Sequence, residues 1–270
     1  MSVPTRSPTP SGRPPPALIL LPVGVVALLV ATAPLLDVDA KRLLHAVPAL
    51  LDFAGHLFVA PDWAYLPDLL RRMLETLEMT LIATLVATVL SMPLAVLAAR
   101  NASPHPAVFH AARQVLSAMR ALPELVWALV FVSAVGLGPL PGILAMALVT
   151  VGFMGKAFAE AIEMADPRPV EGVRAVGATR VQVVSFALLP QALPDLVGTT
   201  VYVLDHNVRS AAILGLVGAG GIGYDMVMAM RLYEFDRLTP IAVAIYLVVT
   251  VLDRLSDRLR ARVIHGRGAP

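Results

Sequence analysis

Long apolar runs separated by short polar segments set the rhythm of this chain. The runs fall at 17–36, 76–99, 115–136, 142–162, 183–205 and 236–254. About 20 apolar residues suffice for a helix to cross a bilayer, so the pattern predicts about six transmembrane helices. The last run is short, with a charge-free core over Leu238–Leu252. A second apolar stretch, LLDFAGHLFVA at 50–60, is too short to span and is expected to lie at the interface, where Trp63 and Tyr65 suit the headgroup boundary. Residues 1–16 are rich in Pro, Ser and Gly and read as a disordered tail. Ala31-Thr32-Ala33 resembles a signal cleavage site, but the preceding run is long for a signal peptide, and Pro22 and Pro34 fit a loosely packed anchor helix. The expected divisions are a tail at 1–16, an anchor at 17–36, an external loop at 37–75 carrying the interfacial helix, a core at 76–262 and a second tail at 263–270.

Composition agrees with the pattern. The chain has 270 residues, 57% hydrophobic and 15% charged, with a mean hydropathy of +0.76. Soluble domains carry nearer a quarter charged residues, so an all-α polytopic membrane bundle is the expected class. There is no cysteine, which excludes disulfides, thiolate metal sites and cysteine nucleophiles. The net charge of +2 is explained by membrane orientation rather than by nucleic acid. With both ends inside, Lys41, Arg42, Arg71, Arg72, Arg209, Arg231 and Arg237 fall outside, and the other fourteen of the 21 Lys and Arg fall inside. Lys and Arg favour the cytoplasmic side, so both termini and the polar segment at 163–182 are expected there.

Within the second run, Thr76, Thr80, Thr84 and Thr88 repeat every four residues, beside Ala83, Ala87 and Ser91. Such a face suits close helix packing, and a pathway lining is the competing reading. Residues 100–113 read as a short basic loop; its His105 and His110 lack a third ligand nearby.

The segment EGVRAVGATRVQVVSFALLP, 171–190, interrupts the apolar pattern. Asp166-Pro167 supplies an N-cap and a first helical position. Val170, Val173 and Gly177 share one face, and Glu171 and Arg174 another. Gly177 followed by Ala178 is suited to end the helix in a left-handed turn. Thr179 with Gln182 forms a capping box that starts the next helix, and Leu189-Pro190 bends it at the membrane. Further on, Asp205, Asn207, Arg209 and Ser210 interrupt apolar sequence, and charges at such depth usually face a cavity or a partner. Arg209 is suited to a phosphate-like oxyanion, and equally to a pair with Asp205 four residues earlier. Gly218, Gly220, Gly221 and Gly223 follow and read as close packing or a hinge. Together this stretch is a candidate gate. Glu124, beside Pro123, is a second candidate, unless it lies near the cytoplasmic end with Arg120.

The spacing of Glu171, Gly177, Leu189 and Pro190 resembles the cytoplasmic loop of permease subunits of binding-protein-dependent ABC importers. Gly172, Val173 and Ala187 depart from that pattern by small or apolar exchanges. NVRSAAILGLVGAGGIG at 207–223 is similar to phosphonate importer permeases, and the likeness runs from about residue 75 to 262. The resemblance implies a type I importer permease fold and a homodimer of permeases in the bacterial cytoplasmic membrane. It also implies two cytoplasmic ATPases coupled to the chain through Val170, Glu171, Arg174, Gly177, Ala178, Thr179, Leu189 and Pro190, and an external substrate-binding protein. This chain would bind no cofactor, with ATP and Mg on the partner ATPases. No G-x-x-x-x-G-K-[ST] occurs here, and Gly152–Lys156 is only a partial likeness within a span. A permease for methionine or phosphate is the near alternative. A secondary transporter would show internal repeats and ion-binding carboxylates, and a membrane enzyme would cluster its six His; neither pattern is present.

Overall fold

A computed structural model describes residues 16–32, 40–56, 60 and 62–265. Residues 1–15 of the tail expected at 1–16, the end of the first run and the last five residues lie outside the described residues; Pro16 is the first residue of a helix. Every regular element among the described residues is helical, and the chain divides into two units, Met1–Phe58 and Val59–Pro270. In the first unit, α1 (Pro16–Thr32) forms where the anchor was expected. Helix α2 (Ala40–His56) is longer than the interfacial helix expected at 50–60. Its Leu44, Val47 and Leu51 share one exposed apolar face, as an interfacial helix requires.

The second unit is a helical bundle built around α3 (Leu66–Ala98) and α6 (Pro139–Glu163). Helix α3 begins ten residues before the expected span and takes in the end of the presumed loop. The reason is tertiary. A buried stripe of Leu69, Met73, Thr76 and Thr80 continues through Ala83, Ala87 and Ser91 to Ala98. The charges that suggested a loop are settled by partners: Arg72 pairs with Glu75 at 2.9 Å and with Asp225 at 3.4 Å. The Thr face packs. Thr76, Thr80 and Thr84 are buried, and the Ser91 hydroxyl donates to the Val151 carbonyl of α6 at 3.3 Å.

The expected span at 115–136 is broken. Helices α4 (Pro106–Met119) and α5 (Glu124–Val135) meet at an 80° bend. Pro123 at the N-cap of α5 has no N–H to continue the α4 ladder. Residues 106–113, read as loop, are the first turns of α4, and His105 caps them, its Nδ1 accepting from the Ala107 N–H at 3.1 Å. After α6 come two short helices, α7 (Pro167–Ala175) and α8 (Arg180–Val183). A π turn over Val184–Leu188 joins α8 to α9 (Leu189–Leu214). Helices α10 (Gly221–Arg231) and α11 (Phe235–His265) close the unit. Helix α9 continues nine residues past the expected end of its span, so Asp205–Ser210 are helical throughout. Helix α11 likewise runs beyond residue 254.

Four of the described helical stretches are long and apolar enough to cross a membrane, or five when the bent pair counts as one. At 17 residues, α1 falls just short of that length. Two apolar clusters hold the bundle. One gathers Leu116, Met154, Phe158, Ile162, Leu188 and Leu196 at the end that carries α7. The other gathers Met79, Met146, Ala211 and Leu214 toward the opposite end.

Candidate functional site

The α7–α8 hairpin is built from its caps. The Asp166 carboxylate accepts from the Arg168 N–H at 2.9 Å and starts α7. Gly177 has φ +81°, a left-handed conformation, and reverses the chain with Ala178. Thr179 and Gln182 form the reciprocal box that starts α8: the Gln182 Oε1 accepts from the Thr179 N–H at 2.8 Å, and the Thr179 Oγ1 accepts from the Gln182 N–H at 3.4 Å. Val170 is buried and anchors the hairpin to the bundle, while Glu171 and Arg174 are exposed. Leu189 is half-buried and Pro190 exposed. Pro190 offers no N–H to the Phe186 carbonyl, and the preceding turn widens so that the Leu189 N–H reaches the Val184 carbonyl instead.

Long-range bonds make the hairpin one body with the bundle end. The Arg180 guanidinium donates to the Pro104 carbonyl at 2.8 Å. Gln191 on α9 accepts from the Asp166 N–H at 2.9 Å. Glu163, at the end of α6, accepts from both Arg113 (3.1 Å) and the Arg100 N–H (2.7 Å). Sequence reasoning missed this tie, whose partners lie 50 and 63 residues apart. The hairpin and its flanks leave Met164, Val176 and Val181 three-quarters or more exposed. A rigid, capped body with an apolar exposed rim is suited to seat in a partner's groove and to transmit rigid-body motion.

The polar residues of α9 sort onto two faces, as a 3.6-residue period demands. Asp205 and Arg209 turn toward α11, where Arg209 pairs with Asp205 and, at 2.6 Å, with Asp253. Asp253 carried no sequence signal, because its partners lie 44 and 48 residues away. Asn207 and Ser210 turn the other way. The Asn207 amide donates to Thr84 at 2.9 Å, and its carbonyl accepts from the Thr150 hydroxyl at 3.2 Å. Asn207 therefore ties α3, α6 and α9 together in the membrane core. On the same side, a cavity of about 270 Å³ is lined by Arg120, Glu124, Thr150, Phe153, Tyr202 and His206, among others. Ser210 and His206 stand beside the Glu124 carboxyl.

The glycines after α9 serve close approach. A Cβ on Gly223 would lie 2.0 Å from the Ala212 carbonyl oxygen, so α10 crosses α9 backbone against backbone. Gly218, Gly220 and Gly221 form the turn into α10, whose first amides are met by α3: the Ile222 N–H reaches Thr76 Oγ1 at 2.8 Å. Gly152 and Gly155 lie within α6 and pack against Leu116 and Arg120, and Lys156 donates to the Ser117 hydroxyl at 2.7 Å. That partial nucleotide motif is packing. Among the described residues no group of three or more His, Asp or Glu is placed to hold a metal.

Comparison with known proteins agrees with this architecture. Phosphite transport system permease protein PtxC of Stutzerimonas stutzeri is 41% identical over 82% of this chain and 80% of its own length. Phosphate-import permease protein PhnE of Mycolicibacterium smegmatis is 46% identical over 65% of this chain, a match that spans 33% of that longer protein. Among solved structures, a chain of the MetNI methionine ABC transporter in an inward-facing conformation superposes with a TM-score of 0.65. That match covers 75% of this chain and 99% of the other at 24% identity, and it shows a shared fold. Residues 91–265 match the family described as the binding-protein-dependent transport system inner membrane component. The chain belongs to that family and is a multi-pass permease component of an ABC importer.

Proposed function

We propose that this permease carries a phosphorus oxyanion, phosphite or a phosphonate, across a bacterial cytoplasmic membrane as a homodimer. Two separate ATPases dock on the α7–α8 hairpin, bind ATP and Mg, and close to drive the bundle. An external binding protein delivers the substrate. The substrate class rests on the likeness to the phosphite and phosphate permeases, which covers most of the bundle. The coupling role rests on one observation: the hairpin is capped at the start of both helices and hydrogen-bonded to the loop before α4 and to α9, yet presents an exposed apolar rim to solvent. Asp205 and Arg209 face α11, and the glycine turn after α9 leads into α10, an arrangement that suits a gate that moves when the hairpin is driven.

Reconstitution of the permease with its ATPases and binding protein in liposomes tests this reading. ATP-dependent uptake of phosphite or an alkylphosphonate is expected. Uptake of methionine alone would replace the substrate, and uptake driven by an ion gradient without the ATPases would overturn the mechanism.

A further inference from the structure

Arg120 and Glu124 lie four residues apart, a spacing that pairs opposite charges on a continuous helix. Here they do not pair: among the described residues neither takes part in an ion pair. The cause is the break between α4 and α5. Arg120 ends one helix and Glu124 begins the next at an 80° bend, so the turn that would bring them together is missing. Both line the same cavity of about 270 Å³. The Arg120 guanidinium sits over the Phe153 ring at 5.3 Å. One carboxylate oxygen of Glu124, Oε1, is buried without a hydrogen-bond partner. An unpaired buried acceptor is costly at membrane depth and calls for a donor. The cavity lies near the middle of α6, beside Thr150, and near the middle of the long stretch that holds α9, beside Tyr202 and His206. Asn207 at its floor is already satisfied by Thr84 and Thr150 and holds the wall in shape.

A cation and an unpaired acceptor held apart across a small cavity match one ligand chemistry: a compact oxyanion that still carries an acidic hydrogen. We propose that this cavity is an oxyanion-binding station within the permease. Arg120 pairs with the charged oxygens, and the Glu124 carboxylate accepts the ligand's P–O–H hydrogen. Guanidinium matches phosphate-like oxygens in charge and geometry. The carboxylate repels an oxyanion that has no proton to donate, so the same pair selects against sulfate. The nearby negative charge also keeps binding weak, as a transport intermediate needs. The station rests on the proposed oxyanion substrate and adds to it the residues that meet the substrate inside the membrane.

The test uses the absence of native cysteine. Val149 lines the cavity without carrying charge, so V149C offers a reporter thiol there. The complete complex, reconstituted with ATPases and binding protein, is treated with a small hydrophilic thiol reagent with and without phosphite. Phosphite is expected to slow V149C labelling about tenfold when present at about ten times its dissociation constant, as simple occupancy gives. Sulfate is expected to leave labelling unchanged. Glu124→Gln or Arg120→Ala removes the protection by phosphite, and Glu124→Asp, which keeps an acceptor, retains part of it; a packing defect would not discriminate the two Glu124 variants. Unprotected V149C in a complex that still takes up phosphite would overturn the station and leave the proposed function standing. Equal protection by sulfate and phosphite would overturn the role of Glu124.

Discussion

Arg209 shows how a charge at membrane depth is settled by its neighbours. Its guanidinium is shared between Asp205 on its own helix and Asp253 on α11, and it locks the two helices together. Asp205 is only 8% exposed and depends on that cation, while Arg209 and Asp253 keep about half of their side chains in contact with the surroundings. Removing the cation alone strands a buried carboxylate. Arg209→Ala is therefore expected to destabilise the solubilised protein by about 2 kcal/mol, below the roughly 3–5 kcal/mol for breaking a fully buried pair because the guanidinium is half exposed. Adding Asp205→Asn to that variant removes the stranded charge and is expected to recover about half of the loss. Thermal unfolding in detergent measures both. Equal stability of the single and double variants would show that Asp205 does not need the cation. The sequence allowed two readings of Arg209, an oxyanion contact or a pair with Asp205. The structure supplies that pair and adds Asp253, a partner no local spacing could indicate.

At the scale of the element, what was legible in the sequence is what depends on neighbours within a few residues. The caps of α7 and α8 act over two or three positions, and Asp166, Gly177, Thr179 and Gln182 take the conformations their types predict. The beginning of α3 was not legible, because its charges find partners on α10. The break at Pro123 was hidden by apolar residues on both sides, which read as one span. Two glycines separate local from tertiary causes. Gly177 has open space around its Cβ position but a positive φ, so Gly177→Ala carries only the left-handed penalty, about 1 kcal/mol. Gly223 has no such φ, but its Cβ would meet the backbone of α9, so Gly223→Ala is expected to cost about 2–3 kcal/mol through overpacking. Unfolding midpoints in detergent should rank them in that order, and the reverse order would contradict the account of the α9–α10 crossing.

At the scale of the molecule, the bundle has two unlike ends. One carries the hairpin, the Arg113–Glu163 tie and an exposed apolar rim. The other carries the glycine turn, α10 and the Tyr233 corner before α11. Between them, α6 and α9 run the depth of the bundle and carry the polar cavity near their middle. The proposed function needs a separate motor subunit to dock at the hairpin end. Photo-crosslinking tests it most directly, with a short crosslinker attached to a V176C chain in the complex with its ATPases. Val176 is 84% exposed at the hairpin turn, and Tyr233, 77% exposed at the opposite end, provides the matched control as Y233C. An adduct between permease and ATPase is expected from V176C and none from Y233C. An adduct from Y233C with none from V176C would contradict docking at the hairpin end.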